Sequence, residues 1–148
     1  MTRLAHLSDI HFGGENAEAT AAAREHVNAG GFDLTVISGD LTRYGEPSEF
    51  AVAAEWLAGL AGPHLVTPGN HDAPYLAPVE RLFVPFRRFE ATLGPAREQG
   101  WRAPGVAVRG VPPSFNVIDI ERAAIRIAAL AWTGSHFEPY RTWSLDRR

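Results

Sequence analysis

Three short clusters in this 148-residue sequence carry the side chains best suited to chemistry: Asp9-Ile10-His11, Gly39-Asp40 and Gly69-Asn70-His71-Asp72. Carboxylate, imidazole and amide donors together suit a divalent cation. In an Asp-X-His pattern at a strand end, alternation points both outer side chains the same way, so both can reach one ion. Asp40 has two carboxylate oxygens and could bridge two ions, while Asn70 offers a neutral oxygen to the second. Gly39 and Gly69 permit the sharp turns these positions need. Two cations roughly 3.5–4 Å apart form a clamp for phosphoryl hydrolysis.

The composition removes competing chemistries. With no cysteine, thiol nucleophiles, disulfides and zinc-thiolate sites are excluded. All 14 basic residues are arginine, so neither a Schiff-base lysine nor a P-loop lysine exists. The formal charge of −3 argues against a broadly basic surface, so nucleic acid is not an expected partner. No apolar run approaches the roughly 18 residues of a membrane span. Residues 1–9 meet charge before an apolar segment develops, unlike a signal peptide. The expectation is a single cytoplasmic domain over residues 1–148, with no membrane partner.

The clusters must be positioned by regular elements, and the pattern supplies them. Residues 4–8 read as a buried strand, and alanine-rich residues 17–28 read as a helix stopped by Gly30-Gly31. Residues 32–37 form a second strand. A helix beginning near Pro47 follows, with Phe50, Ala53, Ala54, Leu57, Leu60 and Ala61 at helical spacing. His64 to Thr67 makes a third strand. Strand and helix alternate, so the sheet is expected to be parallel, with each polar cluster delivered to the carboxyl-end rim where ligands bind. Residues 79–93 read as a helix weakened by Pro85, whose apolar Leu82, Phe83, Phe86 and Phe89 are expected in the core. A long loop spans residues 94–113. Two antiparallel strands, 114–120 and 124–132, follow around Glu121-Arg122, and after Thr133-Gly134 the pattern fades.

The ordered strings His6-Leu7-Ser8-Asp9-Ile10-His11-Phe12-Gly13, Ser38-Gly39-Asp40-Leu41-Thr42 and Pro68-Gly69-Asn70-His71-Asp72 resemble the calcineurin-like metallophosphoesterases. That signature is D-x-H, then GD, then GNH[DE], and the longer strings look most like the bacterial class III cyclic-nucleotide phosphodiesterases. The resemblance covers residues 3 to about 132. It implies an α/β fold, half of a layered α/β/β/α sandwich, with the C-terminal hairpin coming from a second sheet. It implies two divalent ions, Mn, Fe or Zn, and a small phosphoester substrate such as a cyclic nucleotide. Asp9 and His11 would bind the first metal, Asp40 would bridge, and Asn70 would bind the second. His71 would serve the leaving oxygen, oriented by Asp72, while a hydroxide held between the metals attacks phosphorus.

The family pattern continues with a further histidine and then GHxH. After His71 this sequence has only His136, in Ser135-His136-Phe137. The expectation is therefore an N-terminal portion of the catalytic domain, with one ligand missing from the first metal and two from the second. A surface role is expected for His136, and His26 is expected on a helix surface. The alternative reading is a catalytically impaired remnant that serves as a metal-binding or interaction module. In either case, an uncovered sheet edge or apolar face would favour association between copies.

Overall fold

The computed structural model describes residues 1–94 and 113–146. Its elements are β1 (Thr2–Leu7), α1 (Ala17–Ala29), β2 (Leu34–Ser38), α2 (Pro47–Ala58) and β3 (His64–Thr67), then α3 (Pro78–Phe83), α4 (Arg87–Leu93), β4 (Ser114–Ile120), β5 (Ala124–Trp132) and β6 (Phe137–Asp146). The helices begin where their chemistry says they should. Asn16 Oδ1 accepts from the Ala19 amide at 3.0 Å and so satisfies one orphan donor of α1. In α2, Pro47 occupies the first turn, and Glu49 reaches back to accept from the Glu46 and Tyr44 amides. The loop expected over residues 94–113 lies outside the described residues, apart from its two ends.

All six strands form one sheet in the order β3-β2-β1-β4-β5-β6. β1, β2 and β3 are mutually parallel, as the βαβ alternation requires, and β4 adds antiparallel to β1, β5 to β4 and β6 to β5. The α/β class is as expected, but the hairpin is not part of a second sheet: β4 bonds directly to β1. β6 is a strand that the sequence pattern missed. It pairs with β5 over its length, with a bulge at Ala129/Leu130. It lies at the sheet edge with nearly every residue exposed, so no apolar alternation marks it.

The two faces of the sheet differ. Ala5, Leu7, Ile37, Phe115, Val117 and Leu130 pack with Ala23, Val27, Phe50, Ala53, Trp56 and Leu57 of α1 and α2 into the core. On the opposite face, the register sets Leu34, Leu4, Ile118, Ile127 and Trp143 in a row across five strands, each half-buried or exposed. Residues 79–93 make two short helices rather than one, parted at Val84-Pro85-Phe86 because proline cannot continue the ladder. The split re-aims the apolar face. Phe89 enters the core beside Phe50, but Leu82 and Phe83 stand 75% and 74% exposed, which corrects their expected burial. His26 also departs from expectation, packing half-buried against Phe115. Among the described residues, no helix is long and apolar enough to cross a membrane.

Candidate metal centre

β1, β2 and β3 run parallel, so their carboxyl ends share one rim, and the three polar clusters begin there. Asp9 (φ 56°), His11 (φ 54°) and Asp40 (φ 52°) are the non-glycine residues with left-handed backbone among those described. That conformation costs an L-residue about 1–2 kcal/mol, and Asp and His tolerate it better than most. Strand alternation is therefore not what brings Asp9 and His11 together, since β1 ends at Leu7. Consecutive left-handed turns do it instead. They are stitched to the exit of β2 by Asp9 N to Gly39 O (3.3 Å), His11 N to Asp40 O (3.0 Å) and Phe12 N to Leu41 O (2.7 Å).

The exits of β2 and β3 interlock just as tightly. A Cβ on Gly39 (φ +83°) would lie 2.9 Å from Gly69 Cα, and one on Gly69 would lie 2.5 Å from the Asp40 amide nitrogen. Only glycine allows this approach. It lets Asp40 Oδ1 accept from the His71 amide at 2.9 Å, which joins the second cluster to the third.

Asp9, His11 and Asp40 thereby each place a ligand atom within 4.8 Å of the other two. The His11 ring is oriented for this role. Its Nδ1 lies 3.2 Å from the Thr42 carbonyl, which can only accept, so Nδ1–H donates there and Nε2 is the atom turned toward Asp9, 3.9 Å from its Oδ1. Two carboxylates and one imidazole whose second nitrogen is anchored make a donor set that fits a divalent ion. Asn70 follows Gly69 at the same rim with an exposed side chain.

The His71 ring stands edge-on to His11, with centroids 4.7 Å apart. Its Nδ1–H donates to the Arg43 carbonyl at 2.8 Å, leaving Nε2 as the available atom. This corrects the expected role of Asp72, which does not reach the His71 ring. Asp72 is fully buried and accepts from the amides of Leu41 (3.2 Å), Thr42 (2.8 Å) and Gly69 (2.8 Å) and from Thr42 Oγ1 (2.9 Å). Its bonds hold the backbone at Leu41 and Thr42, next to Arg43, and at Gly69. Burial raises the Asp72 carboxyl above its ordinary value, against the pull of those four donors. His136 sits apart and exposed in the β5–β6 turn, with Nδ1 3.0 Å from Ser135 Oγ and 3.2 Å from Thr133 Oγ1.

Residues 2–125 match the family described as calcineurin-like phosphoesterase. The chain belongs to that family. The chain is also 38% identical over 82 residues to glycerophosphodiester phosphodiesterase GpdQ from Enterobacter lignolyticus (strain SCF1). That match takes in 47% of this chain and 29% of the relative, so the chain spans less than a third of the curated relative it matches. Among solved structures, a single mutant of Vps29 from Entamoeba histolytica superposes with a TM-score of 0.52 at 14% identity, covering 99% of this chain and all of that one. Vps29 from Chaetomium thermophilum gives 0.52 at 10% identity, with 99% and 94% covered. At these identities the structures share the fold alone.

Sequence reasoning missed the groups that orient this calcineurin-like site. The carbonyls of Thr42 and Arg43 aim the two imidazoles, yet a carbonyl belongs to every residue and leaves no trace in side-chain type. Thr42 itself had a signal, a threonine placed directly after the Gly39-Asp40-Leu41 run. Its hydroxyl donates to Asp72, and its amide does so as well.

Proposed function

We propose that this chain hydrolyses phosphodiesters or phosphomonoesters with two divalent ions, Mn, Fe or Zn, and that a cyclic nucleotide or similar small diester is the leading substrate. Asp9 and His11 would hold the first ion, Asp40 would serve as a ligand to both, and Asn70 would contribute to the second. Bound cations would lower the pKa of water and offset charge on the phosphoryl oxygens. The chain's own work is positional. Left-handed turns fix Asp9, His11 and Asp40. His71, with Nδ1 committed to Arg43, presents Nε2 to the departing oxygen and holds or gives up a proton there. Asp72 keeps that geometry by bonding the backbone around it.

The observation that carries this reading is the convergence of Asp9, His11 and Asp40 within 4.8 Å. It is tested by measuring metal content and bis-p-nitrophenyl phosphate hydrolysis for wild type and Asp40→Ala. Stoichiometric metal and turnover, both lost in the variant, support the enzyme. No metal and equal background in both proteins would sink it.

A second reading keeps the metal and gives up catalysis. One three-residue ligand group is found among the described residues, and it leaves the second ion only Asp40 and Asn70. On this reading, the protein binds one ion and acts as an interaction module. The row Leu4, Leu34, Ile118, Ile127 and Trp143 is then the natural surface for self-association.

A further inference from the structure

Beside His71 lies a cluster of rings and guanidinium groups that the hydrolytic reading does not use. The Tyr75 ring is 5.5 Å from the His71 ring and inclined 31° to it, and Tyr44 meets Tyr75 edge-on at 6.1 Å. The two tyrosines are tied through the backbone, Tyr75 N donating to Tyr44 O at 2.9 Å. Each has a guanidinium over its ring, Arg43 at 4.9 Å from Tyr44 and Arg81 at 4.5 Å from Tyr75. Both rings are nonetheless about half open, at 40% and 48% exposure.

The arginines nearby are employed differently. Arg88 pairs with Glu46 and Glu80, Arg87 pairs with Glu80, and Arg81 donates to the Ala73 carbonyl at 2.7 Å. Arg43 has no carboxylate partner among the described residues. Its stem lies along Gly14, three residues past His11, so closely that a Cβ there would sit 2.8 Å from Arg43 Cδ. An exposed, unneutralised cation thus spans from the turn after His11 to a tyrosine pair that abuts His71. An anion is drawn to such a charge, and a flat group is held by such rings.

We propose that Tyr44 and Tyr75, with the Arg43 guanidinium, form the subsite for the ester's outgoing group, and that this subsite favours a flat aromatic ring over a polyol. The inference rests on the phosphoesterase reading, because it takes His71 as the neighbour of the departing oxygen. Tyr44 and Tyr75 supply the ring contact and so determine specificity. Arg43 supplies charge, which serves any phosphate ester alike.

The test is equilibrium binding to the whole chain in Mn²⁺, using phenyl phosphate and glycerol 3-phosphate, two monoesters of like charge and different substituent. Phenyl phosphate should bind roughly tenfold tighter to wild type, a ratio typical of one good stacking contact. Tyr44→Leu and Tyr75→Leu should each bring the ratio toward one, and Tyr75→Phe, which keeps the ring, should retain it. Arg43→Ala should weaken both ligands in parallel. Retention by the phenylalanine variant separates lost stacking from lost folding. Equal affinities in wild type, or a ratio untouched by both leucine variants, overturns the subsite alone. If neither ligand binds, the subsite and the phosphoesterase reading both fall.

Discussion

The parallel half of the sheet and the antiparallel half solve opposite problems with the same backbone. At the rim of β1, β2 and β3, three left-handed residues, two interlocked glycines and a buried carboxylate hold polar groups in fixed positions, against the local preferences of the chain. In β4, β5 and β6 nothing is strained to that degree, but one face carries half-buried and exposed apolar side chains, among them Ile118, Ile127 and Trp143, and the edge strand β6 has nearly every residue exposed. The first half spends stability on geometry, as sites that must bind or react do. The second half leaves apolar surface unspent, which is what an interface between molecules requires.

The sharpest way to break this comparison is to remove Asp72. It is buried with four donors aimed at it, and each donor left orphaned costs about 1–3 kcal/mol. Asp72→Ala should lose at least about 3 kcal/mol in denaturant unfolding and should also lose metal binding, because the turns bearing Asp40 and Arg43 come apart. Trp143→Ala, in the other half, should cost less, about 1 kcal/mol, since the side chain stands 40% exposed on an edge strand and leaves no buried polar group unpaired. Equal losses in the two variants would mean that the polar clamp is no more critical than the edge strand.

A second perturbation acts on the antiparallel half. Leu145 is 56% exposed and lies opposite Ile125 in the register, on the same face as Trp143. If that face covers itself by association, wild type should scatter light as more than a monomer at micromolar concentration. Leu145→Arg should shift it toward the monomer without changing its metal content. A monomeric wild type would leave the apolar row uncovered by copies of itself.

What was legible in the sequence divides along the same line. Asp9, His11 and Asp40 could be read because metal chemistry is restricted to a few side-chain types, and the strands before them carry short, mainly apolar stretches. How those residues converge could not be read, because the left-handed turns are dictated by hydrogen bonds from a neighbouring strand exit. Asp72 was given a partner, the His71 ring, that its geometry denies. Its position in the string was visible, whereas its four actual donors are mostly backbone. On the other side, β6 escaped because an edge strand solvated on nearly all its residues has no apolar period. Leu82 and Phe83 were misassigned because the break at Pro85 rotates one short helix away from the core that the other enters.

The smallest expected effect concerns the seam where the two halves meet, at His6 of β1. Its Nε2 lies 2.7 Å from Ser38 Oγ, and its Nδ1 lies 3.4 Å from the Asn116 amide nitrogen of β4. An amide nitrogen only donates, so Nδ1 accepts and the ring is held neutral. Burial pushes the His6 pKa below its usual value, partly offset by the charge of Asp9. The unfolded chain then takes up the proton first as pH falls below about 6.5, so stability is full above that value and declines on acidification toward the lowered folded value. Asp72 has the opposite sign: its raised value favours the folded form at acid pH and withdraws that support as pH rises. A difference between two proteins that both retain Asp72 therefore isolates His6. With chelator present, wild type should lose more melting temperature between pH 7.5 and 5.5 than His6→Gln does. Parallel losses would show that the ring is not held neutral at the seam.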